Sequence, residues 1–124
     1  MRTIKIYATG SATGNNVANV TIPSSCTLKG IQYAIDFDAV ADNGNFALEI
    51  SLASATEIAV NAAQQCVAEW RGYNNLVTSG MTLASLVGFF PLSEGLKQGQ
   101  ILYLHAVIGA TLTYRFTGVL WLSK

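Results

Sequence analysis

The chain has 124 residues, a formal net charge of zero from 7 basic and 7 acidic side chains, a charged fraction of 11% and a hydrophobic fraction of 51%. That length fits one domain with a core of its own, and the balance excludes the basic footprint of a nucleic-acid-binding surface. The charged fraction is less than half the ~25% of an ordinary soluble domain. Two readings fit it: a neutral surface rich in hydroxyl and amide groups, or a surface covered by partner subunits, since interface centres are depleted of charge.

Arg2 to Ala8 alternates like a strand, with Ile4 and Ile6 on one face. It lacks the apolar stretch of a signal peptide, and no apolar run approaches the ~20 residues of a membrane span. A soluble protein made in a cytoplasm is expected. Thr9 to Asn16 (Thr-Gly-Ser-Ala-Thr-Gly-Asn-Asn) reads as a flexible loop. Residues 1–16 are therefore expected to form an N-terminal strand or arm and hinge, and residues 17–124 a β-sandwich. Such an arm would serve assembly more than folding.

Val17 to Ile22 is a short strand ended by Pro23. Gly30 to Asp38 is a longer one, with Ile31, Tyr33, Ile35 and Phe37 inward and Asp36 and Asp38 on the solvated face. Asp42-Asn43-Gly44 is a turn signal. Beyond it Phe46, Leu48, Ile50 and Leu52 alternate against Ala47, Glu49, Ser51 and Ala53, so 30–54 is expected to be a hairpin. From Ala55 to Trp70 helical and strand spacings compete. An irregular segment with one helical turn over 56–65, then a strand over 66–73, is the reading taken. Met81 to Phe90 is strand-like and Pro91 should end it, with Leu92 to Gln98 a surface loop.

Gly99 to Leu122 carries the strongest pattern. Two runs rich in β-branched and aromatic residues flank Gly109-Ala110, which predicts a second hairpin. In the latter run Leu112, Tyr114, Phe116, Leu120 and Leu122 face the core, and Thr113, Arg115, Thr117 and Trp121 face away. Counting strands gives an all-β fold: a single jelly roll or β-sandwich of about eight antiparallel strands.

No constellation of residues announces a reaction. His105 is the only histidine; it lies mid-strand between Leu104 and Ala106, with no nucleophile elbow in the chain, and a structural role is expected. The carboxylates are scattered, and Cys26 and Cys66 fit no zinc or redox spacing; whether they pair cannot be read from sequence. No catalytic, cofactor-binding or metal-binding residue is assigned, and no cofactor is expected. Trp70, Tyr73 and Trp121 fall opposite the best inward sets or at strand ends. They are interface candidates, able to anchor a subunit or stack on a sugar ring, with the edge of the core as the plainer reading.

The runs Gly30–Asp36 (Gly-Ile-Gln-Tyr-Ala-Ile-Asp), Leu48–Ser51 (Leu-Glu-Ile-Ser), Pro91-Leu92 and Gly99–His105 (Gly-Gln-Ile-Leu-Tyr-Leu-His) resemble the small single jelly-roll virion proteins of tailed bacteriophages. Those are capsid decoration or cement proteins. The resemblance covers the pattern of 30–122. It implies a non-enzymatic virion protein that forms a homo-oligomer, most often a trimer, and binds the major capsid protein of the same phage to stabilise the head. It implies no nucleic-acid or membrane partner. The alternative is a carbohydrate- or receptor-binding β-sandwich of a head fibre or tail, using Trp70, Tyr73 or Trp121.

Overall fold

Alternating apolar residues dictate extended segments with one buried face, and two such sheets can bury those faces only against each other. The computed structural model describes residues 2–39, 46–54, 66–72, 84–108 and 112–124. They form β1 (Arg2–Gly10), β2 (Gly14–Thr21), β3 (Cys26–Ala39), β4 (Phe46–Ser51), β5 (Cys66–Gly72), β6 (Ala84–Leu96), β7 (Ile101–Ile108) and β8 (Leu112–Ser123). The strands make two four-stranded antiparallel sheets, ordered β1-β8-β3-β6 and β2-β7-β4-β5. This is the strand order of a jelly roll, and the all-β expectation holds.

The inward sets follow the sequence. Ile31 and Ile35 on β3, Leu48 and Ile50 on β4, Leu102 and Leu104 on β7, and Tyr114, Phe116, Leu120 and Leu122 on β8 are buried. The side chains of Trp70, Tyr33, Phe90 and Phe116 meet between the sheets. Trp70 reaches from β5 to within ring-centroid distances of 5.2 Å of Tyr33, 5.7 Å of Phe90 and 5.1 Å of Phe116.

Both expected hairpins are corrected. β3 pairs with β6 and β8, whereas β4 pairs with β5 and β7; β7 and β8 likewise lie in opposite sheets. Alternation fixes which face of a strand is buried but not which strand lies beside it. Each of these connections crosses from one sheet to the other. Among the described strands only β4 and β5 are both consecutive and paired. The Asp42-Asn43-Gly44 signal and the helical turn expected over 56–65 lie outside the described residues.

Two further expectations change, and the state of the cysteines, open in the sequence, is given by the structure. Pro91 does not end its strand: β6 runs on to Leu96, because β6 is an edge strand and a residue without an N–H is tolerated there. Leu92–Leu96 is thus strand rather than loop. The turn proper is at 97–100, where Gly99 has φ +87° and Gln100 N–H donates to the Lys97 carbonyl. That φ, at the third position of the turn, is what a type II turn requires of glycine. The two thiols, Cys26 on β3 and Cys66 on β5, are free.

The N-terminal segment belongs to the body. β1 pairs with β8 from Arg2↔Leu122 through Gly10↔Tyr114 and buries Ile6 and Ala8. Thr9 Oγ1 donates to the Tyr114 carbonyl (2.9 Å), and Ile108 N–H donates to Thr13 Oγ1 (2.9 Å) in the link to β2. No boundary at residue 16 separates an arm from the sandwich. Deleting residues 2–10 exposes one long edge of β8 and the core beneath it. The truncated full-length remainder should lose its cooperative thermal transition by circular dichroism; an unchanged transition would show β1 to be dispensable.

Tyr114 supplies a pH test. Burial raises its pKa above the ordinary 10.0, because the phenolate is poorly solvated there. The unfolded chain loses the proton first, so its contribution is intact below pH ~10 and declines as pH rises above it. Tyr114→Phe should therefore unfold less readily with rising pH above ~10 than the parent chain, measured by urea melts across the alkaline range.

Candidate functional site

The outer face of the β2-β7-β4-β5 sheet holds the buried polar groups. Glu49, Ser51 and His105 each show 0% exposure although they point away from the core. All six residues of β4, on both of its faces, are buried. Glu49 lies opposite His105 across β4–β7 and opposite Glu69 across β4–β5.

A serine, a histidine and a glutamate on one face are the residue types of a hydrolytic triad. The hydrogen bonds give them another task. Asn16 N–H donates to His105 Nδ1 (2.9 Å). A backbone N–H can only donate, so Nδ1 is the acceptor and Nε2 carries the proton. Nε2–H in turn donates to the Ala53 carbonyl (2.7 Å). Both ring nitrogens are thus committed to backbone groups. Ser51 Oγ accepts the Ala53 N–H (2.9 Å). The histidine is a strap. It ties the start of β2 and the segment after β4 to the outside of β7, with Tyr103 parallel to it (interplanar 9°, centroids 6.2 Å).

Local conformation places the donor. The register of β2 on β7 shifts between Gly14 and Ala18, and Asn16 there takes φ 53°. Asparagine tolerates that left-handed region better than most residues, and a bulge re-aims the backbone. Its N–H is thereby turned onto His105.

Beside the strap, ligand atoms of Glu49, Cys66 and Glu69 lie within 4.8 Å of one another. The sequence did not single out this trio, whose members are separated by 17 and 3 positions. The strand pairing alone brings them together. Each takes part in an interaction inside the chain, and Cys66 Sγ–H donates to the Ala68 carbonyl (3.6 Å). Three ligand atoms fall short of the four that close a structural zinc site.

The other outward face, on β1-β8-β3-β6, is open. The large apolar side chains that are exposed among the described residues are Tyr7 (54%), Val87 (76%) and Phe89 (52%). All three alternate with inward residues of that sheet: Tyr7 with Ile6 and Ala8, Val87 and Phe89 with Leu86 and Phe90. The Phe89 ring lies over Gly30. A Cβ on residue 30 would sit 2.0 Å from Phe89 Cζ, so glycine there makes the ring's seat. A cleft of about 330 Å³ opens at the chain ends, lined by Arg2, Pro23, Ser24, Cys26, Ser123 and Lys124 among others.

The three interface candidates separate. Trp70 is 7% exposed and packs in the core, so it is removed from the set: no sugar or subunit can reach its ring. Its neighbours gave the clue, since Glu69 and Arg71 flank it and put Trp70 on the apolar side with Ala68. Tyr73 lies outside the described residues. Trp121 is half-buried on the open face, and its Nε1–H is shielded with no hydrogen-bond partner among the described residues. Val87 and Phe89, which the sequence reading did not single out, join it there.

No protein-family model matches the chain, and no curated protein matches it. Among solved structures it is similar to a chain from the structure of infectious bursal disease virus, Gx strain. That match has a TM-score of 0.57 at 12% identity, and covers 96% of this chain but only 31% of that one. It is also similar to Eiger TNF from S. frugiperda, with a TM-score of 0.52 at 11% identity, over 98% of this chain and 94% of that one. At such identities the likeness is one of fold. The jelly roll is shared by a virus protein and a TNF, so the fold alone does not select a function.

His105→Ala tests the strap. It removes two hydrogen bonds and leaves the Asn16 N–H and Ala53 carbonyl without their buried partner. The expected loss is about 2–4 kcal/mol of unfolding free energy by chemical denaturation. A variant as stable as the parent would show the histidine to be held for another purpose.

Proposed function

We propose that this chain is a non-enzymatic structural protein of a virus particle, and within that class a decoration or cement protein of a phage head. It works by contact, associating with copies of itself and with the major capsid protein. The observation that carries this reading is the concentration of exposed apolar side chains on one sheet face of a chain with zero net charge and 11% charged residues. Isolated surface apolar residues are ordinary, but grouped ones mark contact sites.

Two further observations favour contact over catalysis. The single histidine spends both ring nitrogens on backbone groups. Its serine and glutamate neighbours are fully buried. The jelly-roll likeness to a chain of a virus structure is in keeping with the reading. The sugar-binding alternative loses Trp70 to the core and is left with Tyr73 and Trp121.

Virions purified from the source on a density gradient provide the test. Mass spectrometry should find the chain in the particle band, and an antibody to the recombinant protein should label intact heads. Stripping it should lower the temperature at which heads release DNA. Absence from the particle band overturns the reading, and a glycan-array signal lost in Trp121→Ala would replace it with the sugar-binding one.

A further inference from the structure

We infer that the outer face of the β1-β8-β3-β6 sheet is where copies of this chain meet, the β6 side of one copy against the β1 side of the next. This rests on the proposed role as an assembling protein and names the surface that assembly uses. The register gives the face row by row. Reading across β1, β8, β3 and β6, one outward row is Lys5, Val119, Gln32 and Phe89, and the next is Tyr7, Thr117, Ala34 and Val87. Trp121 and Gly30 are paired in the row before these.

Three properties point to a second copy as the occupant. The first is charge. Arg115 on β8 and Asp36 on β3 lie opposite each other within one copy, and Lys29 stands on β3. At the edges, β1 presents Lys5 and β6 has no lysine or arginine, so bringing the two edges together sets no like charges against each other. The second is the placement of apolar groups. Tyr7 stands at the β1 edge, and Val87 and Phe89 at the β6 edge. Setting β6 against a neighbour's β1 brings Val87 to Tyr7 and Phe89 to the stem and ammonium of Lys5, a cation–π arrangement. The third is size. β8 has 12 residues, which at ~3.4 Å each and ~4.8 Å between strands gives a face about 40 Å by 19 Å, roughly 760 Å². A stable contact takes about 800 Å² from each partner.

The face is also prepared for contact. Phe89 is held in place by its seat over Gly30, so little side-chain freedom is lost on docking. A two-fold pair with its axis along the strands satisfies the β6-to-β1 relation and uses the whole face.

The test is the native mass of the full chain by light scattering across a dilution series, against 13.2 kDa for one copy. The parent should be oligomeric. Val87→Lys alters an exposed position on an edge strand where lysine is tolerated, and Lys5→Glu replaces the ammonium that faces Phe89 with a carboxylate. Each should raise the dissociation midpoint about tenfold or more, with thermal unfolding of the monomer unchanged. Thr21→Lys, exposed on β2 of the other sheet, should leave the midpoint in place. A monomeric parent overturns the inference, as does an oligomer indifferent to both face variants. The virion result is read separately: a monomer found in the particle band removes this interface and leaves the virion role standing. An oligomer sensitive to Val87→Lys but absent from virions does the reverse.

Discussion

The two sheets depend on one ring. Trp70 stands on an outer strand of one sheet and is surrounded by Tyr33, Phe90 and Phe116 from three strands of the other. Tilted and edge-on aromatic pairs at these separations add about 0.5–1.5 kcal/mol each beyond the area they bury. The indole Nε1–H has no hydrogen-bond partner among the described residues, so the site gives up some polar satisfaction for shape. The strand order follows from the same need. With every inward face apolar, each successive strand can serve either sheet, and the chain alternates between them except at β4–β5.

Which residues point inward was legible from period-2 alternation. Ile31 and Ile35, Leu48 and Ile50, and the set from Tyr114 to Leu122 lie where that period puts them. Strand pairing was not legible. A crossing connection and a tight hairpin leave the same alternation in the flanking runs, and lengthening a loop costs little free energy. Thus 30–54 and 99–122 read as hairpins, although their strands lie in opposite sheets. His105 could be read as structural from its mid-strand position, but its partners could not. Asn16 reaches it through a left-handed residue at a register shift, and Ala53 through the turn after β4. Neither leaves a pattern in sequence. Trp70 was misplaced for a different cause: helical and strand spacings overlapped there, and only the charges on either side mark the strand phase.

The two outward faces divide the work. On β2-β7-β4-β5 the polar side chains Glu49, Ser51 and His105 are buried, and Ser51 and His105 bond to the backbone of Ala53 and Asn16. On β1-β8-β3-β6 the sandwich is bare, and its surface mixes aliphatic, aromatic and amide groups with few charges. A low overall charge is therefore distributed unevenly in effect, since the polar groups of one face are turned to internal use.

The two indoles of this chain are the only ones it has, and they occupy unlike surroundings. Trp70 sits in a dry aromatic nest, while Trp121 is half-open to water on the bare sheet. Their emission spectra should be separable without any added dye. One reports whether the sandwich is intact, and the other reports what comes to rest against its open side.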